Sequence, residues 1–143
     1  MNPDEIADKV ARAMLAAEGT GPAWGIAIEE VREGYARIRM TLTAAMLNGH
    51  GIGHGGMIFA LADTAFAYAC NSRNVTSVAA QASVVFLDAA REGEVLVAEA
   101  REVALAGRSG VTHVSVRTVD GRAIAEFQGY SRTLGGPVVE IEE

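Results

Sequence analysis

"NGHGIGHGGMIFALADTAFAYACNS", residues 48–72, joins a loop dense in glycine and histidine to a segment that is apolar apart from Asp63 and Thr64. From Met57 to Cys70 apolar residues fall on every side of a helical wheel, with alanine at many positions. A surface helix keeps a polar face, so a helix of this kind has to be wrapped, and its small side chains let a curved sheet come close. The pattern predicts one long central helix, about residues 55–71, inside a curled sheet.

The flanking sequence supplies the sheet. In "YARIRMTL", Ala36, Ile38, Met40 and Leu42 alternate with Tyr35, Arg37, Arg39 and Thr41, the period of a half-buried strand. "WGIAIEEV" before it is its hairpin partner across Arg32 to Gly34. Strand-like stretches follow near Thr76–Leu87, Glu94–Val103, Val111–Val119 and Ala123–Arg132. Asp120-Gly121 signals a two-residue hairpin of type I′, and Gly107 to Gly110 a looser one. At the start, "NPDEIADKVARAMLAAEG" reads as an amphipathic helix over about residues 3–18, with Ile6, Val10, Met14 and Leu15 on one face and Gly19 at its stop. "GGPVVEIEE" at the end reads as a frayed tail. The expectation is an α+β fold: one domain over residues 1–143, an antiparallel sheet of about five or six strands around a long central helix.

Composition limits the function. A net charge of -6 offers no basic face for nucleic acid or an anionic membrane. Cys70 is the only cysteine, so an intrachain disulfide is excluded and a reducing compartment fits. The acidic opening "MNPDEIADKV" is unlike a secretory signal, and the apolar run Gly55–Cys70 is too short to span a bilayer. A cytoplasmic domain without membrane or nucleic-acid partners is expected.

Asp63 is the chemical anomaly, because an unpaired carboxylate in an apolar helix is costly to bury and holds its proton more tightly. Gly51, Gly53 and Gly56 match G-x-G-x-x-G, but no parallel βαβ unit surrounds them and no acid follows at about twenty residues, as a dinucleotide site requires. His50 and His54 have a metal-like spacing, yet the glycines between them argue against a helical display. Glycines at a helix start have a plainer use: they let a ligand approach the unsatisfied N–H groups of the first turn. Such N–H groups stabilise an oxyanion while a carboxylate attacks or activates water, which is acyl-transfer chemistry.

The whole stretch resembles the hotdog-fold acyl-CoA thioesterases, specifically the PaaI group associated with phenylacetate degradation. The likeness runs from the leading helix through "HGG" and "LADTAFAYACNS" to "GYSRTLGG". It implies Asp63 as nucleophile or general base, the Gly55 N–H on the thioester oxygen, His54 bracing the loop and Asn48 positioning substrate or water. Gly56 and Thr64 belong to the same substrate-binding surface, although a Thr64 hydroxyl bonded to the Ala60 carbonyl is the simpler reading. Relatives often carry a basic residue and a proline after "FL", where this chain has Asp88 and Ala89. Arg91 is the substitute contact for the coenzyme phosphates, and Arg108 and Ser109 are further candidates. The resemblance implies no metal or cofactor beyond the coenzyme A of the substrate. It favours aryl-acetyl thioesters such as phenylacetyl-CoA or ring-hydroxylated forms. A hydroxyacyl-thioester dehydratase and a non-catalytic acyl-CoA-binding protein are the alternatives.

Gly55 and Asp63 lie eight residues apart, about 12 Å along a helix. One helix cannot bring both to one carbonyl, whereas two antiparallel helices across a two-fold axis can. A homodimer with shared active sites is therefore expected, and relatives pair such dimers into tetramers.

Overall fold

The computed structural model describes residues 1–141. Helix α1 spans Pro3–Ala17. Asn2 caps it by accepting the Glu5 N–H at 2.9 Å, and Pro3 sits in the first turn, where no N–H is needed. Ala7, Val10 and Ala11 form its buried face, while Ile6, Met14 and Leu15 are half-buried at its borders. α1 stops at the expected place, with Glu18 as its C-cap and Gly19 just beyond, and Gly19 in turn opens a second short helix, α2, Thr20–Trp24.

Six strands follow the predicted segments closely: β1 Ala27–Arg32, β2 Tyr35–Thr41, β3 Ser77–Phe86, β4 Val95–Ala106, β5 Ser109–Thr118 and β6 Ala123–Thr133. They make one antiparallel sheet in the order β1-β2-β4-β5-β6-β3. The central helix α3, Gly55–Cys70, lies across its concave face, preceded by a 3-10 turn at Ala44–Met46. Ile38 and Met40 of β2, Leu96 and Ala98 of β4, Val114 and Val116 of β5 and Phe127 of β6 close on it. Phe66 of α3 stacks obliquely on Phe127, with centroids 5.8 Å apart. Gly129 makes room for this ring, since a Cβ there would stand 2.6 Å from it.

Three local readings need correction. Tyr35, on the outer side of the β2 alternation, is only 3% exposed. The Arg32 and Arg101 guanidinium groups cover its ring at 3.9 and 4.9 Å, and its O–H donates to Glu99. The two hairpins also exchange roles. The tight two-residue loop is Gly107-Arg108, with Ala106 opposite Ser109 and Gly107 at φ 60°. At Asp120-Gly121 only the glycine has positive φ; Thr118 closes a longer loop, its hydroxyl donating to Asp120 and accepting the Arg122 N–H. The tail from Gly135 is anchored through Val139. Asn74, at φ 62°, accepts the Val138 and Val139 N–H groups and donates to the Val139 carbonyl. Glu142 and Glu143 of that tail lie outside the described residues.

The wrapping of α3 is incomplete. Ile58, Leu61, Ala62, Ala65, Phe66, Tyr68 and Ala69 are buried, but Gly56 is exposed and Ala60, Asp63, Thr64 and Ala67 are half-open. At 100° per residue these five positions share one stripe. Beside it runs β3, an edge strand paired only with β6. Val78 is 45% exposed and Val85 60%, so the sheet ends in a long apolar edge.

Candidate active site

The loop before α3 is held by its own side chains. Asn48 Oδ1 accepts the His50 N–H at 2.9 Å and the Ile52 N–H at 3.3 Å, while the Gly51 N–H donates to the Asn48 carbonyl. Asn48 thus forms the turn, as short polar side chains do, and it also lines the cleft described below. The Gly53 N–H donates to the Ala90 carbonyl at 2.7 Å, and the His54 N–H to Met46 at 2.8 Å. These bonds fix where α3 begins.

At that beginning the backbone donors are unequally satisfied. His54 is the N-cap, and its Nδ1 accepts the Gly56 N–H at 2.8 Å. The imidazole therefore carries its proton on Nε2 when neutral. The Met57 and Ile58 N–H groups both reach the His54 carbonyl. The Gly55 N–H alone meets no acceptor among the described residues. With its N–H spent on His54, Gly56 offers a ligand no free donor, and a Cβ there would lie 3.0 Å from His54 Nδ1.

Gly55 opens into a cleft of about 350 Å³ with Asn48, Ile58, Phe86, Leu87 and Asp88 on its walls. Phe86 carries no signal of its own in the sequence beyond its place in the Thr76–Leu87 strand. Its ring tip lies against Gly55: a Cβ on that glycine would be 3.0 Å from Cζ. Only the register of β3, which sets Phe86 opposite Ala125, turns the ring toward the helix.

Asp63 stands half-buried in the open stripe of α3. Burial holds its carboxyl above the usual aspartate range, with no neighbouring charge or hydrogen bond contributing. The Thr64 hydroxyl donates to the Ala60 carbonyl at 2.8 Å, as its place in the helix suggests. Cys70 is buried, and its thiol is pushed up to about 12, chiefly by burial and then by the Glu102 and Asp63 charges, so it is no nucleophile.

The remaining candidates are dispersed. Asp88 is paired with Arg122 at 3.6 Å, and Arg122 also donates to Glu94 at 2.8 Å, so the acid at this mouth brings its own cation. Arg91 is exposed near that rim, its backbone N–H tied to Glu94. Arg108 and Ser109 are exposed in the β4–β5 turn, beside the end of β6 that pairs with the start of β3. That is the opposite end of the sheet from Gly55. Among the described residues no three His, Cys, Asp or Glu side chains converge as a metal site. No helix there is long and apolar enough to cross a membrane.

Comparison with known proteins places this arrangement. Residues 50–125 match the thioesterase superfamily. The acyl-coenzyme A thioesterase PaaI of Escherichia coli (strain K12) is 40% identical over 128 residues, 90% of this chain and 91% of its own. The chain belongs to the thioesterase superfamily. The solved structure of the E. coli PaaI protein from the phenylacetic acid degradation operon matches with a TM-score of 0.93 at 38% identity, over 95% of this chain and 99% of that one. A variant of the phenylacetic acid degradation protein PaaI from Thermus thermophilus matches at 0.78 and 32% identity, over 82% and 100% of the two chains. The sheet around α3 is the hotdog fold of this superfamily, and the span matched contains His54, Gly55 and Asp63.

Proposed function

We propose that the protein is an acyl-CoA thioesterase whose two active sites are shared between subunits of a homodimer. Each site joins the Gly55 N–H of one protomer to Asp63 of the partner subunit. The observation that carries this reading is a pair of incomplete features on one helix. A free N–H at its start and a lone carboxylate in its open stripe stand about 12 Å apart, too far to act on one carbonyl. Edge strand β3 runs along α3, meeting it through Phe86 at Gly55 and through Ser77 at Asn71. A second copy related by a two-fold axis that covers this edge and the stripe brings the complementary groups together.

In this site the thioester oxygen accepts the Gly55 N–H, in the field of the helix N-terminus, as negative charge develops on it. The partner's Asp63 attacks the carbonyl carbon or takes a proton from the attacking water. By either route the C–S bond breaks, water supplies the new oxygen and a proton, and the free acid and coenzyme A leave. His54 keeps the amide in place by capping its neighbour. That engagement also weighs against a dehydratase, which needs an imidazole free beside the carboxylate. A passive binder gains nothing from an unpaired carboxylate. The substrate class is aryl-acetyl-CoA, as the names of the E. coli and Thermus relatives suggest. Arg91, Arg108 and Ser109 are assigned to the coenzyme portion, with the two-fold axis bringing the far turn to the neighbouring site. The same reading has the enzyme cytoplasmic, in a tetramer of two such dimers, and using no metal or redox cofactor.

Complementation tests the shared site. Asp63→Asn and Gly55→Pro should each lose at least about a hundredfold in activity, the proline removing the N–H at the first helical position while its ring, like an alanine Cβ, also meets Phe86. Co-refolding the two makes about half the dimers mixed, each with one intact site, so activity recovers to roughly a quarter of wild type. Two folded, exchanging variants that restore nothing would refute the two-chain site.

A further inference from the structure

We infer that Phe86 is a specificity-determining residue: its ring is the wall against which the aromatic ring of the acyl group packs while the thioester carbonyl meets Gly55. This rests on the aryl-acetyl thioesterase reading and extends it to the acyl group.

Three observations converge on this residue. Phe86 is 50% exposed, although it is a full aromatic side chain at the end of an apolar strand. Its ring tip is directed at Gly55, with Cζ, Cε2 and Cε1 at 3.0, 3.4 and 3.5 Å from where a Cβ would stand. It is also the aromatic side chain in the cleft that holds Gly55 and Asn48. The other walls near it, Ile58, Leu87 and Ala90, are aliphatic. A carbonyl oxygen about 3 Å from the Gly55 N–H meets the residue against which the Phe86 ring packs, within the same cleft. In an aryl-acetyl thioester one methylene separates carbonyl from ring. The substrate ring then falls within the roughly 4.5–7 Å between centroids at which aromatic pairs attract, beyond the gain from burial alone. Glycine at position 55 serves two purposes here: it frees the backbone for the carbonyl and leaves space for this ring. A straight acyl chain gains the burial without the ring pairing.

The test compares phenylacetyl-CoA with cyclohexylacetyl-CoA, which match in shape and differ in aromaticity. The kcat/KM ratio between them is measured for the wild type and for Phe86→Leu and Phe86→Met, each first checked for fold and oligomeric state. Losing the ring lowers the ratio about fivefold in both variants, the scale of one aromatic pair. A ratio unchanged in either folded variant overturns the inference and leaves the thioesterase reading intact. A wild-type enzyme active on straight-chain thioesters but inert to aryl-acetyl ones removes the aryl reading and this inference together. A wild-type enzyme that hydrolyses no acyl-CoA removes both at their root.

Discussion

At its C-terminus α3 runs into Asn71, whose Nδ2 donates to the Ala67 and Ser77 carbonyls and whose Oδ1 accepts the Ser77 N–H at 2.8 Å. Ser72 follows, fully buried, its hydroxyl accepting the Gly34 N–H at 2.8 Å. At its N-terminus the same helix starts on His54, which takes the Gly56 N–H and leaves that of Gly55 without a partner among the described residues. The closed end is cross-linked to β1–β2 and to β3. The open end faces a cleft. Side chains serve both ends, but the open end keeps one backbone donor unmet beside the cleft, and such a donor marks where a ligand belongs.

The difference can be broken most severely at Asp63, halfway between the ends. Asp63→Asn should lower kcat at least a thousandfold in a thioester assay read with a thiol-reactive dye, the upper range for loss of an acid/base or attacking group. Turnover near wild type would remove Asp63 from the chemistry. At the open end, Gly55→Pro should cost about a hundredfold in kcat through loss of one oxyanion donor. Gly55→Ala keeps the N–H and only presses on Phe86, so its smaller loss separates the donor from the crowding. At the closed end, Asn71→Ala should cost about 2 kcal/mol of stability in urea unfolding, because it strands buried donors and acceptors. Its folded fraction should keep the wild-type kcat. A change in kcat there would mean that the two ends are not functionally distinct.

The smallest effect concerns pH. Burial raises the Asp63 pKa above its ordinary value of 3.8, and the active form is the carboxylate. The kcat/KM profile should therefore fall on the acid side at a pH above the usual aspartate range, and an acid limb within that range would refute it. For stability the sign runs the other way. The folded chain keeps the proton at pH values where the unfolded chain has lost it. The contribution of this group is complete below the unfolded pKa and is lost as pH rises through the folded one. At neutral pH Asp63→Asn should thus raise Tm slightly, with the gain vanishing as the solution is acidified below pH 3.8.

Much of this was legible in the residues. Alternation fixed β2 and the later strands, the all-round apolarity of Met57–Cys70 required a wrapped helix, and the lone carboxylate inside it announced chemistry. Thr64 bonds Ala60 as its position four residues on dictates. These features depend on neighbours within a turn or a strand, which the chain order itself supplies. Other details depended on contacts between distant segments. Asn74 ties down a tail that composition alone leaves loose, and two arginines from β1 and β4 cover a tyrosine that alternation sends outward. Phe86 reaches Gly55 only through the register of an edge strand more than thirty residues along the chain from β2. Which first-turn N–H stays free was likewise decided by the ring orientation of His54, and the open stripe by how far one sheet can curl around one helix. Local periodicity determines what each segment is, because it is written in successive residues. Which face goes uncovered, and which donor goes unmet, is a property of packing that exists only once the segments meet.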